Sequence, residues 1–451
     1  MPRDTHERTL VLFNYDWDQR EFARLADRYP HDSRGFDLFS FPSNAQLAWF
    51  DMERFVDRLA KQVKRRGWTA VTSNHEQFGA LAAALLAEKM GWPGTPVDAI
   101  LSCQHKLYAR QILDRVSPEI NIAARELPCE YGAPIPDGLA YPAFAKPVKA
   151  AFSVLARTVA NRDELHAHTR FGAWELWVIR HLVEPFDRVM RTRLPNAPTA
   201  HRMMLEDVFA GQQYNLDGYM LNGELHVIGC VDSIMYPGTQ AFMRFDYPSR
   251  LAPSVIAQFK RGIGPFLKEI NFTHGLFNVE FFVGEDDQRL KVIEFNPRMA
   301  SQFSDLYRRV DGIDLHEYAF ALAHGIDPAT LPRSEPTAGA ASSFVYRSFD
   351  AALGDPSKPN AAIAMPSAEQ QAQLHKEFPD ALLFTFPKDK SQIARDFKWL
   401  GSYRYGILHL GGRDEHDLRE RCERASAVLR WRVPYTDGRG DALNGLVLAN
   451  A

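Results

Sequence analysis

Apolar and polar positions along the first hundred residues alternate between two periods. Residues 9–15, Thr-Leu-Val-Leu-Phe-Asn-Tyr, form a run that predicts a buried strand. A short strand is expected near 36–41, helical spacing covers 51–66, and Trp-Thr-Ala-Val-Thr-Ser-Asn at 68–74 predicts another strand. An Ala/Leu-rich helix follows over 76–90. Alternating strands and helices predict a parallel sheet with crossover helices, whose ligands bind at the carboxyl ends of the strands. Tyr15-Asp16 and Ser73-Asn74-His75-Glu76 stand at those ends. No Gly-x-Gly-x-x-Gly follows the first strand, so the dinucleotide-binding signature is missing.

Gly91-Trp92-Pro93-Gly94-Thr95-Pro96 breaks the pattern and marks a boundary. A helix carrying Lys106 is expected over 97–116, then a strand ending at Lys146-Pro147 with a hairpin partner at 153–159. Asn161 is placed to cap a short helix, and helical spacing returns over 174–190. Three strand runs at 202–210, 213–221 and 224–233 predict a meander, with Asn222-Gly223 as a two-residue turn. A helix is expected over 254–269 and two short helices over 304–325. Proline-rich text at 328–336 suggests a second boundary. Beyond it come strands at 341–349 and 403–412 and a charged helix at 414–429.

The segment from Gly275 to Arg298 changes this picture from fold to chemistry. Two apolar runs flank the polar turn Gly284-Glu285-Asp286-Asp287, which predicts an antiparallel hairpin. A carboxylate interrupts each run, Glu280 on the first and Glu294 on the second. Side chains alternate along a strand, so Glu294, Asn296 and Arg298 share a face, as do Asn278 and Glu280. Folding about the midpoint sets Glu280 opposite Glu294 and Asn278 opposite Asn296. Facing like charges are destabilising, and a divalent cation held by oxygen ligands would relieve them. A solvated face with lysine or arginine partners is the ordinary alternative. Four polar residues in matched register, ending in Asn-Pro-Arg, favour the metal.

Other charged residues in apolar settings keep two readings each. Lys146 either snorkels at a strand end or holds phosphate, helped by backbone N–H groups exposed at the small residues Ala150, Ala151 and Ser153. Lys106 is a single cation on a helix face. Glu206, in Met-Met-Leu-Glu-Asp-Val-Phe, needs a partner, either a basic side chain or a polar group of a bound nucleotide. Arg298 can neutralise the facing acids and also stabilise charge on a transferring phosphoryl or acyl-phosphate group.

Composition narrows the classes. At 451 residues the chain exceeds one ordinary core, and 45% hydrophobic with 24% charged residues is the balance of a soluble globular protein. A formal charge of −3 supplies no basic field for nucleic acid or an anionic membrane. The four cysteines form no Cys-x-x-Cys pair, and the fifteen histidines show no His-Glu-x-x-His spacing, which argues against structural zinc and a zinc hydrolase. No Gly-x-Ser-x-Gly is present. The N-terminus has no signal-peptide core and there is no apolar run of about 18 residues. A cytoplasmic location is expected, and a homodimer is allowed for.

In order, these features resemble the ATP-grasp superfamily over about residues 9–325. An α/β N-terminal region precedes a helix with a lysine and a strand ending Lys-Pro before a small-residue loop. Leu-Glu-Asp-Val-Phe-x-Gly follows as a hinge, then Asn-Val-Glu and Ile-Glu-Phe-Asn-Pro-Arg. The resemblance implies a multidomain α/β and α+β protein. Its parts would be a Rossmann-like pre-ATP-grasp domain (1–96), an ATP-grasp domain (97–330) and a small C-terminal α+β subdomain (331–451). Within the second, residues 142–200 and 201–330 would form the phosphate-loop and metal-site subdomains that clasp ATP. The resemblance places Lys106, Lys146 and Ser153 at the phosphates, Glu206, Val208 and Gln213 around the nucleotide, and Glu280, Glu294 and Asn296 on Mg2+ or Mn2+. Arg298 would act on the phosphorylated intermediate. Among the branches the chain is similar to carboxylate–amine ligases such as L-amino-acid ligases, which join a carboxylate to an amine and release ADP and phosphate. A biotin-carboxylase-like enzyme and a non-catalytic ATP-binding subunit are the alternatives. Three departures stand out: Lys-Ala-Ala-Phe-Ser lacks the family's loop glycines, Gln213 stands where many members have Glu, and Met299-Ala300-Ser301 replaces a Gly-containing run.

Overall fold

The computed structural model describes residues 7–38, 43–150, 155–284 and 289–435. Strand β1 (Arg8–Leu12), helix α1 (Asp16–Leu25), strand β2 (His31–Arg34), helices α2 (Met52–Ala60) and α3 (Val63–Arg66), strand β3 (Trp68–Thr72) and helix α4 (Gly79–Met90) come first. The three strands form the expected parallel sheet in the order β2-β1-β3. Leu10, Val11 and Leu12 are fully buried, as a central parallel strand covered on both faces requires. The strand expected near 36–41 lies earlier, at His31–Arg34, and residues 39–41 are outside the described residues. Its polar, half-exposed residues sit at the sheet edge, where the backbone ladder to β1 needs no apolar periodicity. The helix expected over 51–66 is broken at Lys61-Gln62 into α2 and α3.

The helix expected over 97–116 is likewise two, α5 (Val97–Gln104) and α6 (Lys106–Val116), divided by His105 in a non-helical conformation. His105 Nδ1 accepts from the Tyr108 N–H at 3.1 Å, leaving Nε2 to donate to the Pro198 carbonyl at 2.9 Å. The Lys106 N–H is drawn off to the Val148 carbonyl at 3.1 Å, so Lys106 becomes the first residue of α6. Burial pushes the His105 pKa down to about 4 from an ordinary 6.5. A depressed histidine favours the folded state above its unfolded pKa, and that contribution is lost as pH falls from 6.5 towards 4. The loss is on the order of 3 kcal/mol for this shift. The unfolding midpoint should therefore drop steeply on acidification across that window. His105→Asn, which can still cap Tyr108 but cannot titrate, should flatten the drop in a thermal-melt series; an unchanged slope would contradict the assignment.

Strands β4 (Ala124–Glu130), β5 (Ala143–Pro147) and β6 (Arg157–Val159), helices α7 (Arg162–His168) and α8 (Ala173–Arg193) and strand β7 (Arg202–Glu206) follow. The Asn161 side chain caps α7 by accepting from the Glu164 N–H. The four strands make an antiparallel sheet in the order β4-β7-β5-β6. This corrects the expected meander, which put 202–210 with the two strands after it. Met203, Met204 and Leu205 are all buried, so β7 needs cover on both faces and partners on both edges, which its neighbours in sequence do not supply.

Strands β8 (Gln212–Leu221), β9 (Glu224–Met235) and β10 (Phe242–Tyr247), helix α9 (Pro253–Glu269) and strands β11 (Gly275–Val283) and β12 (Leu290–Asn296) come next. Asn222 and Gly223 join β8 to β9 with φ of 52° and 83°, the left-handed pair that a tight hairpin turn demands. Helices α10 (Ser304–Asp311) and α11 (Leu315–Ala323), strand β13 (Ala340–Ser348), helix α12 (Ala368–Glu377), strand β14 (Leu382–Thr385), helix α13 (Lys390–Leu400), strand β15 (Tyr403–Gly412) and helix α14 (Glu415–Leu429) follow among the described residues. Among the described residues no helix is long and apolar enough to cross a membrane.

Two compact units result. The first takes the described residues up to Gly229 with Leu251–Ser301 and Leu315–Pro332; the second takes Cys230–Arg250, Gln302–Asp314 and the described residues from Arg333. The first unit packs around Leu10, Leu12, Phe78, Leu81, Ile100 and Phe186. In the second, β13 pairs with β10 and β15, and Phe344, Tyr346, Leu408, Leu410 and Cys422 lie in its core.

Candidate active site

Every residue of the site below belongs to the first unit. Strand β11 pairs antiparallel with β8 on one side and β12 on the other. The register sets Asn278 against Asn296 and Glu280 against Glu294, as the sequence predicts. The turn residues Glu285, Asp286 and Asp287 lie outside the described residues. Immediately after the facing acids the register slips: Phe281 pairs with Val292, so Ile293 is an extra residue on β12. Such a bulge frees a carbonyl from the ladder and re-aims the neighbouring side chain. The Ile293 carbonyl accepts from Arg110 Nη2 at 2.9 Å and Lys146 Nζ at 3.3 Å, while Arg110 Nη1 bonds the Val292 carbonyl at 2.7 Å. The bulge that orients Glu294 is thus held by two buried cations from α6 and β5.

Those cations share one anion. Glu206, at the end of β7, meets Arg110 Nε at 2.7 Å and Lys146 Nζ at 2.9 Å, with all three side chains buried. Burial opposes ionisation of Glu206, but Arg110 and Lys146 outweigh it and hold its pKa below the usual carboxylate value. Burial pulls the Lys146 pKa down despite Glu206. Val208, just beyond, is 48% exposed. Ser153 lies outside the described residues.

Lys106 reaches Glu294 at 3.1 Å and the Ala150 carbonyl at 2.9 Å. Burial works against its charge, yet Glu294, Glu76 and Glu280 together raise its pKa. Gln213 Nε2 donates to Glu280 Oε2 at 2.8 Å, and Asn296 Nδ2 lies 3.4 Å from Glu280 Oε1 and 3.3 Å from Asn278 Oδ1. Glu280 is pushed up to about 7, first by burial and then by the charge of Glu294. Burial also works against Glu294, but Lys106 and Lys146 keep its pKa low. Burial and the facing charge of Glu294 hold the Glu280 pKa up, the ligand atoms are all oxygens, and both acids remain half-buried rather than sealed. Glu280, Glu294 and Asn296 therefore fit a hard divalent cation.

Three members of the constellation escaped sequence reasoning. Arg110 is one turn beyond Lys106 on α6. Lys149 follows Lys146 by three residues; it bonds Gln104 Oε1 at 3.1 Å, lies 5.0 Å from the Phe186 ring centre, and burial brings its pKa down to about 8. Glu76 stands after β3, at one of the strand ends noted in the sequence, and its Oε2 lies 2.9 Å from Arg298 Nε. Burial opposes the charge on Arg298, and Glu76, Tyr15, Glu280 and Glu294 outweigh it. The only available signal for Glu76 was its place at a carboxyl end of the parallel sheet. For Arg110 and Lys149 it was a cation in a strongly apolar segment.

Residues 139–305 match the family profile described as "ATP-grasp domain", which spans the facing strands, Lys146 and Arg298. The chain carries an ATP-grasp domain. Its overall fold is like that of the L-amino acid ligase from Bacillus licheniformis, with a TM-score of 0.65 at 14% identity over 94% of this chain and 96% of that one. The N5-carboxyaminoimidazole ribonucleotide synthetase from Thermus thermophilus gives 0.60 at 14% identity over 95% and 100%. At such identities the likeness is one of ATP-grasp fold. In sequence the chain is 27% identical over 314 residues to carnosine synthase 1 of Gallus gallus, covering 63% of this chain and 30% of that protein. It thus spans under a third of the length of that relative.

Proposed function

We propose that this chain is an ATP- and magnesium-dependent ligase that activates a carboxylate as an acyl phosphate and joins it to an amine, releasing ADP and phosphate. The observation that carries the reading is the registered pair Glu280 and Glu294, with Lys106 paired to Glu294 and the charge of Arg298 acting on both acids. Lys106 and Lys146 hold the phosphates from α6 and β5, and Lys149, just after β5, adds a third cation. The Glu206 side chain is committed to Arg110 and Lys146, which leaves the backbone of the hinge and Val208 to face the base. Gln213 orients Glu280. Magnesium or manganese, held by Glu280, Glu294 and Asn296, would neutralise charge on the phosphates. Arg298 stabilises the charge that develops as the phosphoryl group passes to the substrate carboxylate. These residues position and neutralise, so little proton transfer is asked of side chains in the first step.

The names of two relatives, a carnosine synthase and an L-amino acid ligase, support an amino acid as one substrate. A phosphate-release screen of amino acids, singly and in pairs with ATP and magnesium, tests the reading. ADP and phosphate should appear with the right acid and amine together. AMP and pyrophosphate as products would overturn it.

A further inference from the structure

The loop between β3 and α4 brings Glu76 to Arg298 and holds it there on three sides. The Glu76 N–H donates to the Tyr15 hydroxyl at 3.2 Å, and the Glu76 carbonyl accepts from Gln104 Nε2 at 2.8 Å and Lys149 Nζ at 3.4 Å. Gly79 closes the turn: a Cβ there would collide with Ser73 Oγ. The residue so placed is 6% exposed. Its Oε2 lies 2.9 Å from Arg298 Nε without the geometry of a hydrogen bond, and has no hydrogen-bond partner among the described residues. A buried carboxylate oxygen left in this state is costly, and a further donor would relieve it. Beside the same arginine, though not reaching Glu76 itself, lies a cavity of ≈ 60 Å³ whose walls are mostly apolar, with Ser73, Asn74 and Thr95 among the polar residues that line it.

Arg298 cannot serve Glu76 and a phosphorylated substrate equally. We propose that Glu76 is the docking carboxylate for the substrate ammonium and, by holding Arg298 until that ammonium arrives, couples ATP consumption to amide formation. The inference rests on the ligase reading above. An ammonium at Glu76 replaces the arginine as the carboxylate's counter-ion and frees the guanidinium for the acyl phosphate. The amine nitrogen then forms its bond to the acyl carbon, and the carbon–oxygen bond to phosphate breaks with its electron pair going to phosphate. Of the two protons the ammonium loses, one goes to the departing phosphate and one to Glu76, which passes it to solvent.

The test is the ratio of phosphate released to amide formed, in wild type, Glu76→Gln and Glu76→Asp, with the acid and amine pair found in the screen. Wild type should give a ratio near one, with little phosphate released when the amine is left out. Glu76→Gln should lose amide formation while the ratio rises several-fold, because Arg298 is no longer held back. Glu76→Asp, which keeps the charge, should return the ratio towards one and supplies the reading if the glutamine variant does not fold. A ratio that stays at one in both variants, however slow they become, overturns the coupling role and leaves the ligase reading standing. Absence of any acid- and amine-dependent phosphate release in wild type overturns the ligase reading, and this inference with it.

Discussion

Glu294→Gln should abolish acid- and amine-dependent phosphate release while leaving the fold intact. The substitution keeps the shape of the side chain and removes one of two like charges that face each other across β11 and β12. Lys106, 3.1 Å away, loses its ion-pair partner, and Glu280 loses the neighbour whose charge helps hold its pKa up. In the protein without metal, relief of that repulsion offsets the lost Lys106 pair, so the thermal midpoint should hold or rise. With ATP and magnesium the missing charge removes a ligand directly opposed to Glu280 in the strand register, and turnover should fall by on the order of 10² to 10³-fold. Lost turnover with a midpoint that holds or rises is the result expected if Glu294 serves a bound cation. Turnover close to wild type would remove the metal assignment, and a collapsed midpoint would make Glu294 a structural partner of Lys106.

Arg110→Met should be the most destabilising single change in this site. Arg110 is 4% exposed, and its guanidinium joins Glu206 on β7, Asn121 after α6, and the carbonyls of Val292 and Ile293 on β12. Methionine fills the space but takes the Arg110 donors from the Val292 carbonyl and from half of a buried carboxylate, and leaves the Ile293 carbonyl to Lys146 alone. Removing one partner of a buried ion pair costs about 3 kcal/mol or more. Lys146 remains on Glu206 and softens the loss without making it up. A lower urea midpoint should be accompanied by weaker ATP-dependent activity, because the bulge that aims Glu294 loses its clamp. A stability within about 0.5 kcal/mol of wild type, the range of ordinary surface substitutions, would show that Lys146 alone holds the bulge.

Much of the scaffold was legible from periodicity. The buried runs at 9–15 and 68–74 gave β1 and β3, and the parallel sheet followed from the helices between them. The hairpin was legible because its polar residues repeat at strand period on both arms, which leaves one register that aligns them. Helix breaks were not legible: the division at His105 depends on a carbonyl from Pro198 and another from Val148, both distant in the chain. Nor was the partner of β7, since a run of apolar residues states how deeply a strand is buried but not which edges it meets. Ser153 and part of the phosphate loop lie outside the described residues.

By itself the sequence determined that two acids and two asparagines face one another beside an arginine, because alternation along a strand is a local property of the backbone. It also placed Lys146 at the end of a strand. Only the tertiary structure decided how those charges are shared. Arg110 and Lys146 are drawn to Glu206 and a bulged carbonyl, Lys106 to Glu294, and Arg298 to Glu76 from a loop far earlier in the chain. The reason is physical: burial makes every unpaired charge expensive, and the pairing that removes the cost is settled by which elements pack together, not by their order in sequence.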